Sequence, residues 1–398
     1  MVCPVCGTSY PGTEDGWVCP VCLLRRALKP EYVEETSVCV DKPLPPEGRF
    51  DHYQLARRPD GIFEELGRGA MGVTYKAFDT VLHHPVALKV IDGRIAADPN
   101  VRQRFLREAR AAARLRHQNV ASVFYYGVRK SDAQCFYAME LVEGETLEKR
   151  LRRTGPLTPV TALEVIAQVA KALIAAEAYG IVHRDLKPAN LMLVEGPELT
   201  VKVIDFGLAK AASTDGSETN LTYGGFVGTP AFASPEQFTG TSVDIRSDLY
   251  SLGVVLWDMV AGRAPFLGNP GEVMYQHQHA PLPFGQLEGV PQPVVVLLEV
   301  LLDKDPGRRF QSPTELLKAM PTVTSAIDSG RTITQESLQK MLNANPYTVT
   351  RSPPARSGPQ NISVSRLPVT GRDLFGREED IAFLNRAWGN QQVNTWRF

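Results

Sequence analysis

Five polar residues in one short stretch have the types and spacing for chemistry. They are Asp185, Lys187 and Asn190, within His183-Arg184-Asp185-Leu186-Lys187-Pro188-Ala189-Asn190, and Asp205, which opens Asp205-Phe206-Gly207, with Arg184 beside the first. Two carboxylates, a lysine and an amide at these intervals suit phosphoryl transfer. In that reaction a protein orients a hydroxyl, holds Mg²⁺ against phosphates and neutralises charge. On this reading Asp185 orients the hydroxyl and accepts its proton. Asn190 and Asp205 hold the metal, and Lys187 reaches the transferred group. A lone His-Arg-Asp would say little. The H-R-D-L-x-x-x-N run followed at this distance by D-F-G is a far more specific signal.

These elements resemble the protein kinases, in particular the bacterial branch of the eukaryotic-like Ser/Thr family. The resemblance runs from about Ile62 to Met320. It implies an α+β fold of two lobes, with a β-rich N-lobe and an α-helical C-lobe. Upstream, Gly67-Arg68-Gly69-Ala70-Met71-Gly72 is flanked by Ile62–Leu66 and Val73–Phe78, both strand-like. A strand–glycine turn–strand arrangement lets backbone N–H groups approach phosphate. A dinucleotide-binding turn would instead open a helix. Thr74 stands where the family usually has valine, which adds a hydroxyl to the adenine lid.

Val86-Ala87-Leu88-Lys89 is an alternating strand ending in a cation. The resemblance assigns Lys89 to the α- and β-phosphates and pairs it with a helix glutamate. The segment Asn100–Leu115 reads as that helix, starting after Asp98-Pro99, and Glu108 is its only acidic residue. The hinge between lobes falls at Met139-Glu140-Leu141-Val142. By resemblance Met139 guards the back pocket, the Glu140 carbonyl and Val142 N–H hold adenine, and Ala87 and Met192 form its roof and floor. The nucleotide set is therefore Gly67, Arg68, Gly69, Ala70, Gly72, Thr74, Ala87, Lys89, Met139, Glu140, Val142 and Met192.

The activation segment is expected from Asp205 to Glu236, rich in Ser, Thr and Gly between Ser213 and Gly228. Thr222 and Thr219 are the first choices for a phosphorylated switch, ahead of Thr214 and Ser217. Arg184 would clamp the phosphate. Glu236 needs a buried cation, which the resemblance supplies as Arg309, and Asp248 is expected to hold the catalytic-loop backbone. Lys187, two places past Asp185, fits Ser/Thr rather than tyrosine kinases. ATP, Mg²⁺ and protein substrates follow.

The chain opens with Cys3-Pro4-Val5-Cys6 and Cys19-Pro20-Val21-Cys22. Two C-x-x-C pairs read as a four-thiolate Zn²⁺ ribbon through Cys3, Cys6, Cys19 and Cys22, with two disulfides as the alternative. A protein partner could dock on such a ribbon or on the C-terminal tail. Near the end, Leu374-Phe375-Gly376-Arg377-Glu378 resembles the opening of the ATPase domains of large bacterial signalling proteins. No P-loop follows it before Phe398. Either this is the start of such a domain or a helical tail.

The organisation expected is a zinc ribbon at 1–28, a linker at 29–60, a kinase domain at 61–321, a disordered Ser/Thr/Pro-rich linker at 322–370 and a short helical tail at 371–398. With 43 Lys and Arg against 44 Asp and Glu, the formal charge is −1. That balance argues against nucleic acid as an obligate partner. Val294–Leu302 is the best apolar run and is too short to span a membrane. With no signal peptide evident, the protein is expected in the cytoplasm.

Overall fold

The structure, a computed structural model, describes residues 44–45, 47–69, 72–92, 99–129, 134–206, 230–239 and 242–338. Its upper part is a curled antiparallel sheet. In chain order the strands are β1 (Arg49–Phe50), β2 (Tyr53–Leu55), β3 (Glu65–Gly69), β4 (Gly72–Asp79), β5 (His84–Ile91), β6 (Val123–Val128) and β7 (Cys135–Glu140). The sheet order is β1-β2-β4-β5-β7-β6, with β3 also paired to β4. Helix α1 (Pro99–Ala112) lies between β5 and β6 in the chain.

The two faces of this sheet have different duties. Val86, Leu88 and Val90 on β5 join Phe50, Tyr53 and Phe136 in one apolar core. The alternate residues, Ala87 on β5 with Tyr137 and Met139 on β7, join Ala109 of α1 in another. The period of two sends successive side chains to opposite faces, so Lys89 shares its face with Ala87. The register places Thr74, Lys89 and Tyr137 in one cross-strand row.

The first strands lie inside the span expected as linker, which is a correction. Phe50 is fully buried and meets Phe136 edge-on at 5.3 Å. Residues 56–63 then make a short excursion, in which Arg57 sits 4.1 Å above the Phe63 ring and donates to the Gly61 carbonyl. Strands of two and three residues carry too little alternation to stand out in an acidic, proline-containing stretch.

The lower part is helical around a small sheet of β8 (Glu145–Thr146), β9 (Leu191–Val194) and β10 (Thr200–Val203). Its helices are α2 (Leu147–Thr154), α3 (Pro159–Glu177), α4 (Pro235–Thr239), α5 (Ile245–Ala261), α6 (Pro270–His279), α7 (Gln292–Leu301) and α8 (Pro313–Asp328). Local chemistry sets their ends. Thr158 caps α3, with proline in its first turn, and Asp244 caps α5, which stops at Gly262 in the left-handed region. Asn269 and Glu272 form a reciprocal capping box on α6.

Two further expectations change here. By length and composition α3 could cross a membrane, contrary to the sequence reading. Much of it is instead the central helix of the lower core, and its Gln168 accepts from Val201 N–H and donates to the Leu199 carbonyl. Helix α8 runs past the expected boundary at 321. Val323 and Ala326 are buried, and Leu338 still packs on the lower core. Thr322 and Pro321 are helical because apolar residues recur at helical spacing beyond the proline.

Candidate active site

The catalytic loop hangs from one buried carboxylate. Asp248, in the first turn of α5, accepts from His183 N–H at 2.7 Å and Arg184 N–H at 2.8 Å. Burial pushes its pKa up, against the opposing pull of His183 and those two N–H groups. The anchorage matters because Arg184 has φ 67°, a region that non-glycine residues seldom adopt. Gln237 supports the same residue by donating to the Arg184 carbonyl at 2.9 Å. His183 Nε2 donates to the Ile204 carbonyl at 3.0 Å, and its Nδ1 accepts from Asp185 N–H at 3.3 Å. The imidazole thus ties the loop to the strand end leading into Asp205, and Phe206 packs edge-on against its ring.

The side chains converge as the sequence pattern suggested. Lys187 Nζ lies 2.8 Å from Asp185 Oδ2. Asn190 Nδ2 donates to the Asp185 carbonyl at 2.7 Å and to Oδ2 at 3.2 Å. A single turn, Pro188–Asn190, closes this geometry, with proline pre-setting its first residue. The Asn190 carbonyl accepts from Ile204 N–H at 3.0 Å, which brings the metal-ligand candidates Asn190 and Asp205 together.

The upper lobe is wired differently. Lys89 does not pair with Glu108, as the sequence reading expected. Its ammonium lies 2.6 Å from Asp205 Oδ2. Tyr137, fully buried, donates to Asp205 Oδ1 at 2.5 Å. Glu108 instead meets a neighbouring surface cation on α1, Arg107, at 3.4 Å. The two carboxylate side chains are about equally exposed, 16% for Asp205 and 17% for Glu108, so exposure does not choose between them; Lys89 sits on the one within its reach in this arrangement. Burial acts to raise the Asp205 pKa, yet the Lys89 charge and the bonds from Lys89 and Tyr137 hold it below the ordinary carboxylate range. Asp205 itself has φ 63°.

The nucleotide-facing candidates follow the sheet register. Thr74 lies across from Lys89 and Ala87 across from Met139. Gly67, Arg68 and Gly69 form exposed β3, where Arg68 pairs with Glu65 at 2.9 Å. Gly72 has φ 140°, and a Cβ there would stand 2.0 Å from the Val90 carbonyl oxygen. Only glycine fits that turn. At the hinge, Glu140 N–H donates to the Ser122 carbonyl at 2.9 Å, and its carboxylate pairs with Lys202 of β10 at 2.8 Å. Val142 and Met192 are half-buried, Met192 lying across from Lys202 and Thr146 in the small sheet.

Below the loop, Glu236 accepts both Arg309 nitrogens, at 2.7 and 2.9 Å, and the Ser247 hydroxyl at 2.5 Å. Burial opposes its charge, but these bonds hold its pKa down. Ala70, Thr219, Thr222, Thr214, Ser217, the four N-terminal cysteines and the C-terminal tail lie outside the described residues. Among the described residues no cluster of metal-binding type is formed by acidic, His and Cys groups alone. The sequence reading missed Tyr137 and Gln237. Period-two spacing from Met139 could have put Tyr137 on the Lys89 face, but nothing local marks Gln237.

A fold with this two-lobed architecture and loop defines a protein kinase. The protein kinase domain profile matches residues 61–320, and the chain belongs to that family. It is 39% identical over 276 residues to the serine/threonine-protein kinase PknB of Mycobacterium tuberculosis, covering 68% of this chain and 42% of that protein. A probable serine/threonine-protein kinase of Streptomyces coelicolor is 40% identical over 270 residues, covering 65% and 39% respectively. The chain thus spans about two-fifths of the length of these relatives. The crystal structure of the Mycobacterium tuberculosis PknI kinase domain superposes with TM-score 0.54 at 28% identity, covering 71% of this chain and all of that one.

Proposed function

We propose that the chain is a Ser/Thr protein kinase, transferring the γ-phosphate of Mg·ATP to protein hydroxyls and to its own activation segment. The observation that carries this reading is the convergence of Lys187 and Asn190 on Asp185, with Asn190 and Asp205 joined through Ile204. Bound Mg·ATP supplies the phosphoryl group and the positive charge that offsets it. The amide oxygen of Asn190 and the carboxylate of Asp205 are hard oxygen donors suited to that ion. Asp185 orients the substrate hydroxyl and takes up its proton, and Lys187 neutralises charge on the transferred group. Lys89 moves from Asp205 to Glu108 in the active arrangement and then holds the α- and β-phosphates. Ala87, Met139, Glu140, Val142 and Met192 frame the adenine, and the Gly67–Gly72 turn covers the phosphates.

PknB and the Streptomyces relative bear Ser/Thr kinase names, and Lys187 two places after Asp185 fits that specificity. The test is incubation with Mg·[γ-³²P]ATP and a generic basic protein, followed by phosphoamino acid analysis. Label on serine and threonine is expected. Label on tyrosine alone, or none from an intact nucleotide complex, would replace this reading with a tyrosine kinase or a nucleotide-binding scaffold.

Three finer readings accompany it. Phosphorylation at Thr222 or Thr219 would order the activation segment by charge-assisted bonds to Arg184. Cys3, Cys6, Cys19 and Cys22 would bind one structural Zn²⁺, present at about one equivalent in protein purified without chelator. Stoichiometric zinc persisting in a Cys19→Ser/Cys22→Ser variant would exclude that ligand set. Reduced thiols and dependence on ATP favour a cytoplasmic setting for these parts.

A further inference from the structure

The site described above leaves one group without a role. Tyr137 sits on β7 two residues before Met139, facing the same side of the sheet. Directly across from it on β5 is Lys89. The register alone therefore aims two donors, an ammonium and a phenol, at one place. Asp205 fills that place, with Oδ2 at 2.6 Å from Lys89 Nζ and Oδ1 at 2.5 Å from the Tyr137 hydroxyl. Each carboxylate oxygen thus has its own donor.

We infer that Tyr137 is a positioning residue that, with Lys89, clamps the Asp205 carboxylate and competes with the divalent metal for it. This rests on the reading of Asp205 as a metal ligand given above. The two halves of the clamp differ. Lys89 can be drawn away by Glu108, because a second anion is available on α1. Tyr137 lies within a strand paired on both sides, by β5 and β6, and is 1% exposed. It cannot follow a moving partner. Its bond to Oδ1 must stretch or break when that oxygen turns to a cation, so the bond opposes metal loading.

The arrangement also gives direction to the coupling. A bond from a neutral donor to a buried carboxylate is among the stronger protein hydrogen bonds. Removing it leaves the ring and its packing with Ala87, Met139 and Ala109 in place. Metal binding should then tighten, where a merely structural contact near the site would leave it unchanged or weaken it.

The experiment titrates Mn²⁺ into the full chain with saturating ADP and reads free Mn²⁺ by electron paramagnetic resonance. Tyr137→Phe should lower the Mn²⁺ dissociation constant about tenfold or more, the scale of losing one hydrogen bond to a charged group. Incorporation of 3-fluorotyrosine at position 137 makes the phenol a stronger donor without enlarging a packed ring by more than one small atom, and should shift the constant the other way. It also serves if the phenylalanine variant melts below the assay temperature. The apparent Mg²⁺ requirement of phosphotransfer should follow the same order. Equal constants for wild type and both variants, or weaker binding in Tyr137→Phe, would overturn the clamp while leaving the kinase reading intact. A wild-type protein that phosphorylates protein but shows no ADP-dependent Mn²⁺ binding would remove the metal-ligand premise and the clamp with it.

Discussion

The two lobes bring their functional residues to the cleft with very different degrees of fixity. In the lower lobe, Asp185 is held through its backbone by His183, and through its side chain by Lys187 and Asn190. The loop as a whole is tied to Asp248. Each of these partners is set by a helix cap, a tight turn or a buried carboxylate. In the upper lobe, Lys89 has a strand for its backbone but a choice of anions for its head. It is found on Asp205, away from Glu108. A lysine ammonium is a compact charge on a flexible stem and takes the best available partner. The difference teaches where regulation can enter such a molecule. The part proposed to handle the hydroxyl is held by several fixed partners, whereas the lysine proposed to handle the nucleotide has two anions within the same lobe and cleft to choose from.

The comparison is broken most severely at the lower lobe. Asp185→Asn keeps the shape of the loop and removes the proposed base. Phosphotransfer should fall by about 10²- to 10⁴-fold, with ATP affinity retained because Asp185 acts on the hydroxyl. Steady-state transfer together with nucleotide titration checks both halves, and a variant retaining full transfer would remove Asp185 from the mechanism.

The lower lobe's rigidity has its own test in Arg309. Arg309→Met leaves Glu236 buried without its cation and should cost about 3–5 kcal/mol of stability by chemical denaturation. Adding Glu236→Leu should restore much of it. The pair also sets a pH dependence. The Glu236 pKa is lower in the folded protein than its ordinary 4.5. Its contribution is therefore full above the unfolded value and is lost as pH falls through the folded one. Wild-type stability should decline below about pH 4.5 more steeply than that of the double variant. Parallel declines would show that the bridge is not the acid-labile element.

What could be read from the sequence follows the same division. The convergence of Asp185, Lys187, Asn190 and Asp205 was legible because short, rigid connections fix their spacing, and the roles proposed for them demand those residue types. Asp248, Glu236 and Arg309 were legible through the motifs around them. The Lys89 partner was not, because two anions compete for it and the placement of α1 relative to β5, which no local pattern fixes, decides which lies within reach. Tyr137 escaped notice since an aromatic residue on an apolar strand is ordinarily core. The strands before β3 escaped because Phe50, Tyr53 and Leu55 are separated by polar residues in a run too short to show a period. Their burial predicts a definite effect: Phe50→Ala should destabilise the upper lobe by about 3–5 kcal/mol. A change within experimental error would return residues 49–55 to the status of linker.

The smallest effect on stability should come from Glu108, and it sharpens the contrast between lobes. In the structure Glu108 is 17% exposed by its side chain and pairs loosely with Arg107, itself 69% exposed. A loose surface pair of neighbours contributes little, so Glu108→Gln should move the unfolding free energy by no more than about 0.5 kcal/mol. Activity should respond quite differently. If Lys89 must leave Asp205 for Glu108 before the nucleotide is properly held, the glutamine lacks the charge to draw it away. Transfer should then drop by about 10²-fold, the scale of a misplaced catalytic group, while Asp185 and its partners remain in place. The drop should also be larger than that of Arg107→Ala, which removes the partner seen here but leaves the Glu108 charge. Equal transfer rates for Glu108→Gln and wild type would mean that Lys89 works from its present seat on Asp205. The upper lobe would then be no less fixed than the lower one, and the helix carrying Glu108 would have no part in switching the enzyme.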